Sequence, residues 1–263
     1  MKDIVNSGFG KDLDILRTLV RREFRIRYKD SFLGILWVFG APLLMIATYS
    51  MFMFGIVRSL GGGGQGYTNL AGLWLCLGLW QWLSESTIRA TSVFHDNAAM
   101  VKKTPLKLSL LPLTNVIVSS VGFLLPLVLA LLLASIKGSA WPSFGCVAMA
   151  LVAILPWFVG LSFFASILGT FLRDAKYAIP LCFNVGMFLS PILYSREQAP
   201  SLIRPFLDMN PLGHQFEFLK AALSGATAYP DTGVAISTAA GLAFMIASMK
   251  LFSARNSEFA DVV

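Results

Sequence analysis

Side chains able to do covalent or metal chemistry are few and scattered in this sequence. Two histidines, His95 and His214, and three cysteines, Cys76, Cys146 and Cys182, stand far apart, with no CxxC, no HExxH and no GxSxG. That pattern supplies neither a disulfide frame nor a zinc site nor an activated nucleophile. The cysteines lie inside apolar stretches and read as small buried or lipid-facing residues, and His214 reads as an interfacial polar group. Gly61-x4-Gly66 begins like a phosphate-binding loop, but Tyr67-Thr68 stands where Lys-Ser/Thr is required. No catalytic residue, cofactor or metal is therefore expected on this chain. What remains is the binding chemistry of rings and hydroxyls. Trp37, Met45, Tyr49 and Phe52 fall in one helical stripe, and Phe183, Met187, Ser190 and Tyr194 recur at intervals of four, three and four, beside Asn184. Aromatic faces stack on the C–H surfaces of sugars, while Asn, Ser and Tyr bond sugar hydroxyls. The competing reading of both stripes is helix packing plus an interfacial aromatic belt.

The elements that carry these stripes follow from composition. Of 263 residues, 56% are hydrophobic and 13% charged, against about 25% charged in a soluble domain, and the mean hydropathy is +0.70. Disorder and an ordinary soluble enzyme are both excluded; lipid is the expected solvent. Crossing about 30 Å of hydrocarbon takes about 20 apolar residues. Six runs qualify or come close: 33–57, 67–83, 108–136, 140–172, 177–195 and 232–249. The second reaches sufficient length only by extending to Ile88 across Glu85, and the fourth is expected to start its helix after Trp141-Pro142. No cleavable signal peptide is expected, because the first run starts too far in and is too long.

Lys plus Arg number 21 and Asp plus Glu 14, a net charge of +7. The basic residues flank apolar runs, which is a topology signal rather than a nucleic-acid footprint, and no nucleic acid is expected as a partner. With the N-terminus inside, sixteen of the 21 fall on the inner side and five on the outer. The positive-inside rule then places both termini in the cytoplasm.

Three polar pieces join the spans. Residues 12–28 read as an amphipathic helix, with Leu13, Ile15, Leu16, Leu19, Val20, Phe24 and Ile26 on one side and Asp14, Arg17, Arg21, Arg22 and Arg25 on the other. Glu23 and Arg27 are exceptions on the apolar side. The inner segment 93–107 is too long for a tight turn: His95-Asp96-Asn97 offers caps for a short helix through Met100, and Pro105 ends it. In the outer segment, Asn210-Pro211 reads as an N-cap with Pro at the first helical position. Downstream, Leu212, Phe216, Leu219 and Leu223 form one stripe and His214, Glu217 and Lys220 another, an outer amphipathic helix of re-entrant character.

Ion-driven transporters place carboxylates or unwound polar backbone at the midplane. Here the runs contain no Asp, Lys or Arg, and Glu85 sits near an inner end. The sequence thus describes a path without its own engine.

Several stretches together resemble the membrane permeases of type-2 ABC exporters for cell-surface polysaccharide. They are Arg25-Ile26-Arg27-Tyr28-Lys29-Asp30-Ser31-Phe32-Leu33-Gly34-Ile35-Leu36-Trp37 with Pro42-Leu43, Lys102-Lys103-Thr104-Pro105, Leu111-Pro112, Arg173-Asp174, Leu189-Ser190-Pro191-Ile192-Leu193-Tyr194 and Asn210-Pro211-Leu212, in that order across nearly the whole chain. The resemblance implies an all-α integral membrane protein forming one permease domain over 1–263. It would have six transmembrane helices, an interface helix at 12–30, a cytoplasmic coupling segment at 93–107, and two short outer helices within 196–231 between spans five and six.

It further implies a homodimeric channel driven by two separate ATP-binding cassette subunits, which would hold the ATP and Mg. Spans one and five would line the path through Trp37, Tyr49, Phe52, Phe183, Asn184, Met187, Ser190 and Tyr194. Asp96, Asn97, Met100, Lys102 and Lys103, with Arg21 and Arg25, would meet the ATPase, and Arg21, Arg22 and Arg25 would attract a lipid diphosphate head group. Pro211, His214 and Glu217 would belong to an outer gate. The implied cargo is an undecaprenyl-type lipid-linked polysaccharide in a bacterial cytoplasmic (inner) membrane. O-antigen is favoured, with capsule and teichoic acid as alternatives. A drug or small-lipid permease and, in another class, a membrane-embedded glycan- or lipid-modifying enzyme stay open.

Overall fold

A computed structural model describes residues 2–28, 34–59, 66–103, 107–137, 143–194, 199, 201–225, 230–256 and 258–259. Lys29 to Leu33 of the first motif, the glycines 61–64, Thr104-Pro105, Trp141-Pro142 and Arg196 lie outside the described residues. Among the described residues the chain forms eleven α-helices and no strand. They are α1 (Lys2–Tyr28), α2 (Trp37–Ser59, after a 3-10 turn at Gly34–Leu36), α3 (Gly66–Ala90), α4 (Val93–Asp96) and α5 (Ala98–Lys103). After them come α6 (Leu110–Lys137), α7 (Phe144–Phe171), α8 (Ala175–Phe188), α9 (Arg204–Met209), α10 (Gly213–Leu223) and α11 (Thr232–Ala254).

Three of these are long and apolar enough to cross a membrane: Leu110–Ile136 of α6, all of α7 and all of α11. The six apolar runs map onto α2, α3, α6, α7, α8 and α11. In α2 the described apolar stretch is the shorter Trp37–Phe52. Helix α3 has 25 residues, but Gln81, Glu85 and Arg89 interrupt its C-terminal half. The fifth run departs most from expectation. Its helix has 14 residues and stops at Phe188, a length of about 21 Å, and the chain turns through 189–194. Pro191 explains the stop, since it lacks an N–H and disfavours helical geometry at the residue before it.

Helix α3 is the hub. Leu70, Ala71, Leu73, Leu75, Cys76, Leu77, Leu79 and Leu83 are all buried, between α6, α7, α2, α10 and α8. A Cβ at Gly78 would stand 2.5 Å from Pro126 Cβ, so glycine there lets α3 and α6 cross at close range, as small residues do between membrane helices. On the opposite flank α7 pairs with α11, where Trp157 Nε1 donates to the Ser237 carbonyl at 3.1 Å and stacks on Phe244.

Helix α10 is not a surface element. Gln215, Phe216, Phe218, Leu219, Ala222 and Leu223 are buried against α7, α3 and α11, and the expected second stripe of His214, Glu217 and Lys220 stays partly exposed. The start of this helix corrects the sequence reading. Asn210 follows α9, its Oδ1 accepting from the Leu212 N–H at 2.9 Å, and α10 begins only at Gly213 with Leu212 before it. The Asn-Pro pair makes a turn joining two short helices, because Asn side chains readily bond the backbone two residues on.

Helix α1 is longer than the expected 12–28 and lies against α6. Leu19 is buried while Leu13, Ile15 and Ile26 remain exposed, leaving an apolar edge on α1.

Candidate functional site

Glu23 and Arg27, the two misfits on the apolar side of α1, find their reason in the tertiary structure. The Arg27 side chain is 3% exposed, with Nη1 2.8 Å from Glu85 Oε1 of α3 and Nε 3.2 Å from Glu23 Oε1. It also donates to Asn115 Oδ1 and Ser119 Oγ of α6, both at 3.4 Å. Glu85 accepts in addition from Arg89 Nε at 3.1 Å. Two guanidiniums and two carboxylates thus join three helices in a network of formal charge zero. Burial, with Arg89 nearby, lowers the Arg27 pKa from its ordinary value, and Glu85 and Glu23 oppose that shift; an arginine stays charged regardless. A buried charged network that shifts the pKa of one of its members is a functional-site candidate. The signal was present in sequence as two misplaced charges on α1 and one carboxylate in a span, but nothing paired them.

The segment 93–107 is built as α4, a turn at Asn97, and α5. Asn97 is buried: its Nδ2 donates to the Val93 carbonyl at 2.8 Å and its Oδ1 accepts from Arg22 Nη1 at 2.6 Å. Asp96 accepts from Ser92 Oγ at 2.6 Å, and Lys107 pairs with Asp12 of α1. Met100 packs partly inward, whereas Lys102 and Lys103 are exposed, as are Arg21 and Arg25 on α1. Beside that Lys107–Asp12 pair, Arg22 rather than Arg21 or Arg25 is the arginine that bonds α1 to this segment.

Beneath it lies a second core. Phe94 of α4 stacks on Phe259 at 4.6 Å between centroids, and Phe252 of α11 lies 4.9 Å from Phe259. Val93, Val101, Leu19, Leu110, Leu111, Phe163 and Ile167 complete the cluster. The turn into α4 presses on α7 so closely that a Cβ at Gly169 would fall 1.9 Å from the Thr91 carbonyl oxygen. Sequence reasoning missed Phe259 and Gly169, and a lone aromatic near one end of a chain carries no local signal.

The two aromatic stripes divide. On α2, Trp37 and Phe52 are 46% and 61% exposed, while Met45 and Tyr49 pack on the main core. On α8, Phe183 meets Trp80 edge-on at 5.6 Å and Met187 is buried. Ser190 is also buried, donating to the Gly186 carbonyl at 2.9 Å and accepting from Asn210 Nδ2 at 2.7 Å. Asn184 is exposed on the opposite side with Tyr177, Leu181, Val185 and Phe188. Tyr194 is half-buried and bonds the Phe188 carbonyl.

At the other end, His214 Nδ1 lies 3.5 Å from Asp231 Oδ2, Glu217 is half-buried and Pro211 is exposed. Lys220 of α10 donates to the Pro191 and Ile192 carbonyls, groups that the broken end of α8 leaves without helical partners. Among the described residues no three His, Cys, Asp or Glu are grouped so as to hold a metal.

The sequence that builds this helical bundle has counterparts among known proteins. The ABC-2 type transporter family matches residues 15–224, and the chain belongs to that family of transporter membrane subunits. Over almost its full length it is similar to particular permeases. It is 27% identical over 262 residues to an O-antigen export system permease protein RfbA of Klebsiella pneumoniae, covering 97% of both chains. It is likewise 27% identical over 261 residues to the protein of that name from Myxococcus xanthus, covering 95% of both.

Proposed function

We propose that this chain is the channel-forming subunit of an ATP-driven exporter that moves lipid-linked O-antigen polysaccharide across the bacterial cytoplasmic membrane. The observation that carries the reading is the end-to-end similarity to permeases named for O-antigen export. Two copies form the conduit, each contributing six spans (α2, α3, α6, α7, α8 and α11) with both termini cytoplasmic. The ATP and Mg belong to two partner cassette subunits.

The exposed Asp96, Lys102 and Lys103 with Arg21 and Arg25 form the docking face, and α4–α5 transmits closure of the ATPase pair. The Arg22–Asn97 bond and the contact of Phe94 with Phe252 support that role by joining the segment to α1 and α11. Trp37 and Phe52 with Asn184 supply path contacts, and Pro211, His214 and Glu217 stand at the outer gate. A polymer needs weak repeated contacts rather than one tight site, which rings and amides provide. Arg21, Arg22 and Arg25 face the diphosphate head group.

Deletion of the gene followed by localisation of the glycan tests the reading. Lipid-linked polymer trapped on the cytoplasmic side supports export; loss of the polymer itself refutes it.

A further inference from the structure

The charge network floors a cleft that shares Trp37 with the proposed path. Between α2, α3 and α6 lies a cavity of about 350 Å³, within the size range of small-molecule sites. One wall is a polar stripe on α3: Gln81, Glu85 and Arg89, spaced one turn apart. Trp37 of α2 and Ser119 of α6 face that stripe across the cleft. Gly122 closes the α2–α6 seam, since a Cβ there would sit 3.3 Å from the Val38 carbonyl oxygen.

The chemistry of these walls selects a guest. Arg27 and Arg89 are offset by Glu23 and Glu85, so the cleft has no net charge with which to hold an anion or a cation. A diphosphate would meet Glu85, and an ammonium would meet Arg89. An acyl chain would strip water from Gln81, Glu85 and Arg89 without replacing their hydrogen bonds, which is costly. A neutral ring with an apolar C–H face and several hydroxyls satisfies every wall. Trp37, 46% exposed, offers an aromatic surface. Gln81 has no side-chain hydrogen bond among the described residues and is free to donate and accept. Glu85, pinned at 2.8 Å by Arg27, keeps acceptor capacity because a carboxylate has about four lone-pair sites.

We propose that this cleft is a sugar-binding subsite for one neutral pyranose residue of the cargo, in which Trp37 stacks and Gln81, Glu85, Arg89 and Ser119 hydrogen-bond the hydroxyls. The assignment rests on the export reading for its cargo and on the cleft for its chemistry. Lying at the inner end of α3, it takes the glycan before translocation and releases it readily, so its affinity is weak.

Saturation-transfer NMR on the full chain in lipid nanodiscs tests it, with glucose, galactose, mannose and N-acetylglucosamine as probes and inorganic pyrophosphate as the anion probe. At least one sugar is expected to bind in the millimolar range. Trp37→Leu, Gln81→Leu and Ser119→Ala are each expected to weaken it at least fivefold, while Tyr177→Leu, on the exposed face of α8, leaves it unchanged. Only variants that keep the wild-type thermal transition are compared. Binding by none of the four sugars, binding that the three cleft variants do not alter, or pyrophosphate competing for the same site overturns the proposal. The two readings fail separately. If no sugar binds but gene deletion traps polymer inside, the subsite falls and export stands. If a cleft-dependent sugar binds but deletion abolishes the polymer, the subsite stands and export falls.

Discussion

Replacing Arg27 by Met removes the centre of the buried network and leaves Glu85 with Arg89 as its remaining cationic partner. The magnitude follows from the geometry. Two unit charges about 4 Å apart attract by about 4 kcal/mol at an effective dielectric constant of about 20, and breaking a buried pair by removing one partner costs about 3–5 kcal/mol. Glu85 is 27% exposed and keeps Arg89, which places Arg27→Met near the low end, about 3 kcal/mol. Glu85→Met leaves the deeply buried Arg27 with Glu23 alone and costs about as much. In the double variant Glu23 and Arg89 lose their partners but, at 21% and 44% side-chain exposure, are reached by water, and apolar replacement of a buried pair is often close to neutral. With the double variant losing no more than either single, a coupling of about 3 kcal/mol is therefore expected, at the top of the range seen for contacting residues.

Thermal unfolding of the full chain in nanodiscs reads this out. At about 2–4 °C per kcal/mol for a chain of this size, each single variant loses about 6–12 °C and the double variant no more than either single. Exchanging the charges is a poorer test, because Arg27→Glu would face Glu23 one turn away and Glu85→Arg would face Arg89. Additive losses, or single variants within about 1 °C of wild type, would refute the reasoning that the pair is buried, mutual and mechanically central.

The other sites make sharper contrasts. Gly169→Ala drives a Cβ into the Thr91 backbone and is expected to cost at least about 1–3 kcal/mol of overpacking strain. Gly145→Ala, with nothing within 4 Å, shifts stability by less than about 1 kcal/mol, so their thermal midpoints should separate. Lys220→Met strands the Pro191 and Ile192 carbonyls; a loss of about 1–3 kcal/mol and faster protease cleavage near residues 189–194 are expected. Phe259→Ala removes the ring beneath Phe94 at a local cost of about 3–5 kcal/mol. Hydrogen exchange at Val93 to Asn97 should rise, and export per ATP hydrolysed in the assembled complex should fall, with Phe259→Trp retaining both.

How far the residues alone reveal this protein depends on whether the information is local. Apolar runs of 17 or more residues, the basic bias of their flanks and the amphipathic face of α1 are local patterns, and the helices over them follow. The break at Phe188 was written in Pro191 but hidden by the apolar residues around it. Asn210-Pro211 announced a turn that spacing alone misread as a helix start. The least legible features are pairings across distance. Arg27 meets Glu85 across 58 positions, and Phe259 meets Phe94 from the far end of the chain. Neither the partner nor the depth of burial is encoded nearby, so only the folded arrangement turns two awkward charges into a site. The α8 stripe shows the converse. Its spacing was correctly periodic, yet burial of Met187 and Ser190 shows that periodicity marks a face without saying which neighbour it meets.

The central claim is that this chain is a conduit moved by a nucleotide-hydrolysing companion. It is tested most directly by reconstituting the permease in proteoliposomes loaded with lipid-linked polysaccharide, with and without its ATP-binding subunit, and following the glycan's accessibility across the bilayer. The account predicts translocation only when both the partner and hydrolysable ATP are present, and none from the permease alone under a proton or sodium gradient. Transport by the permease alone under such a gradient would contradict it.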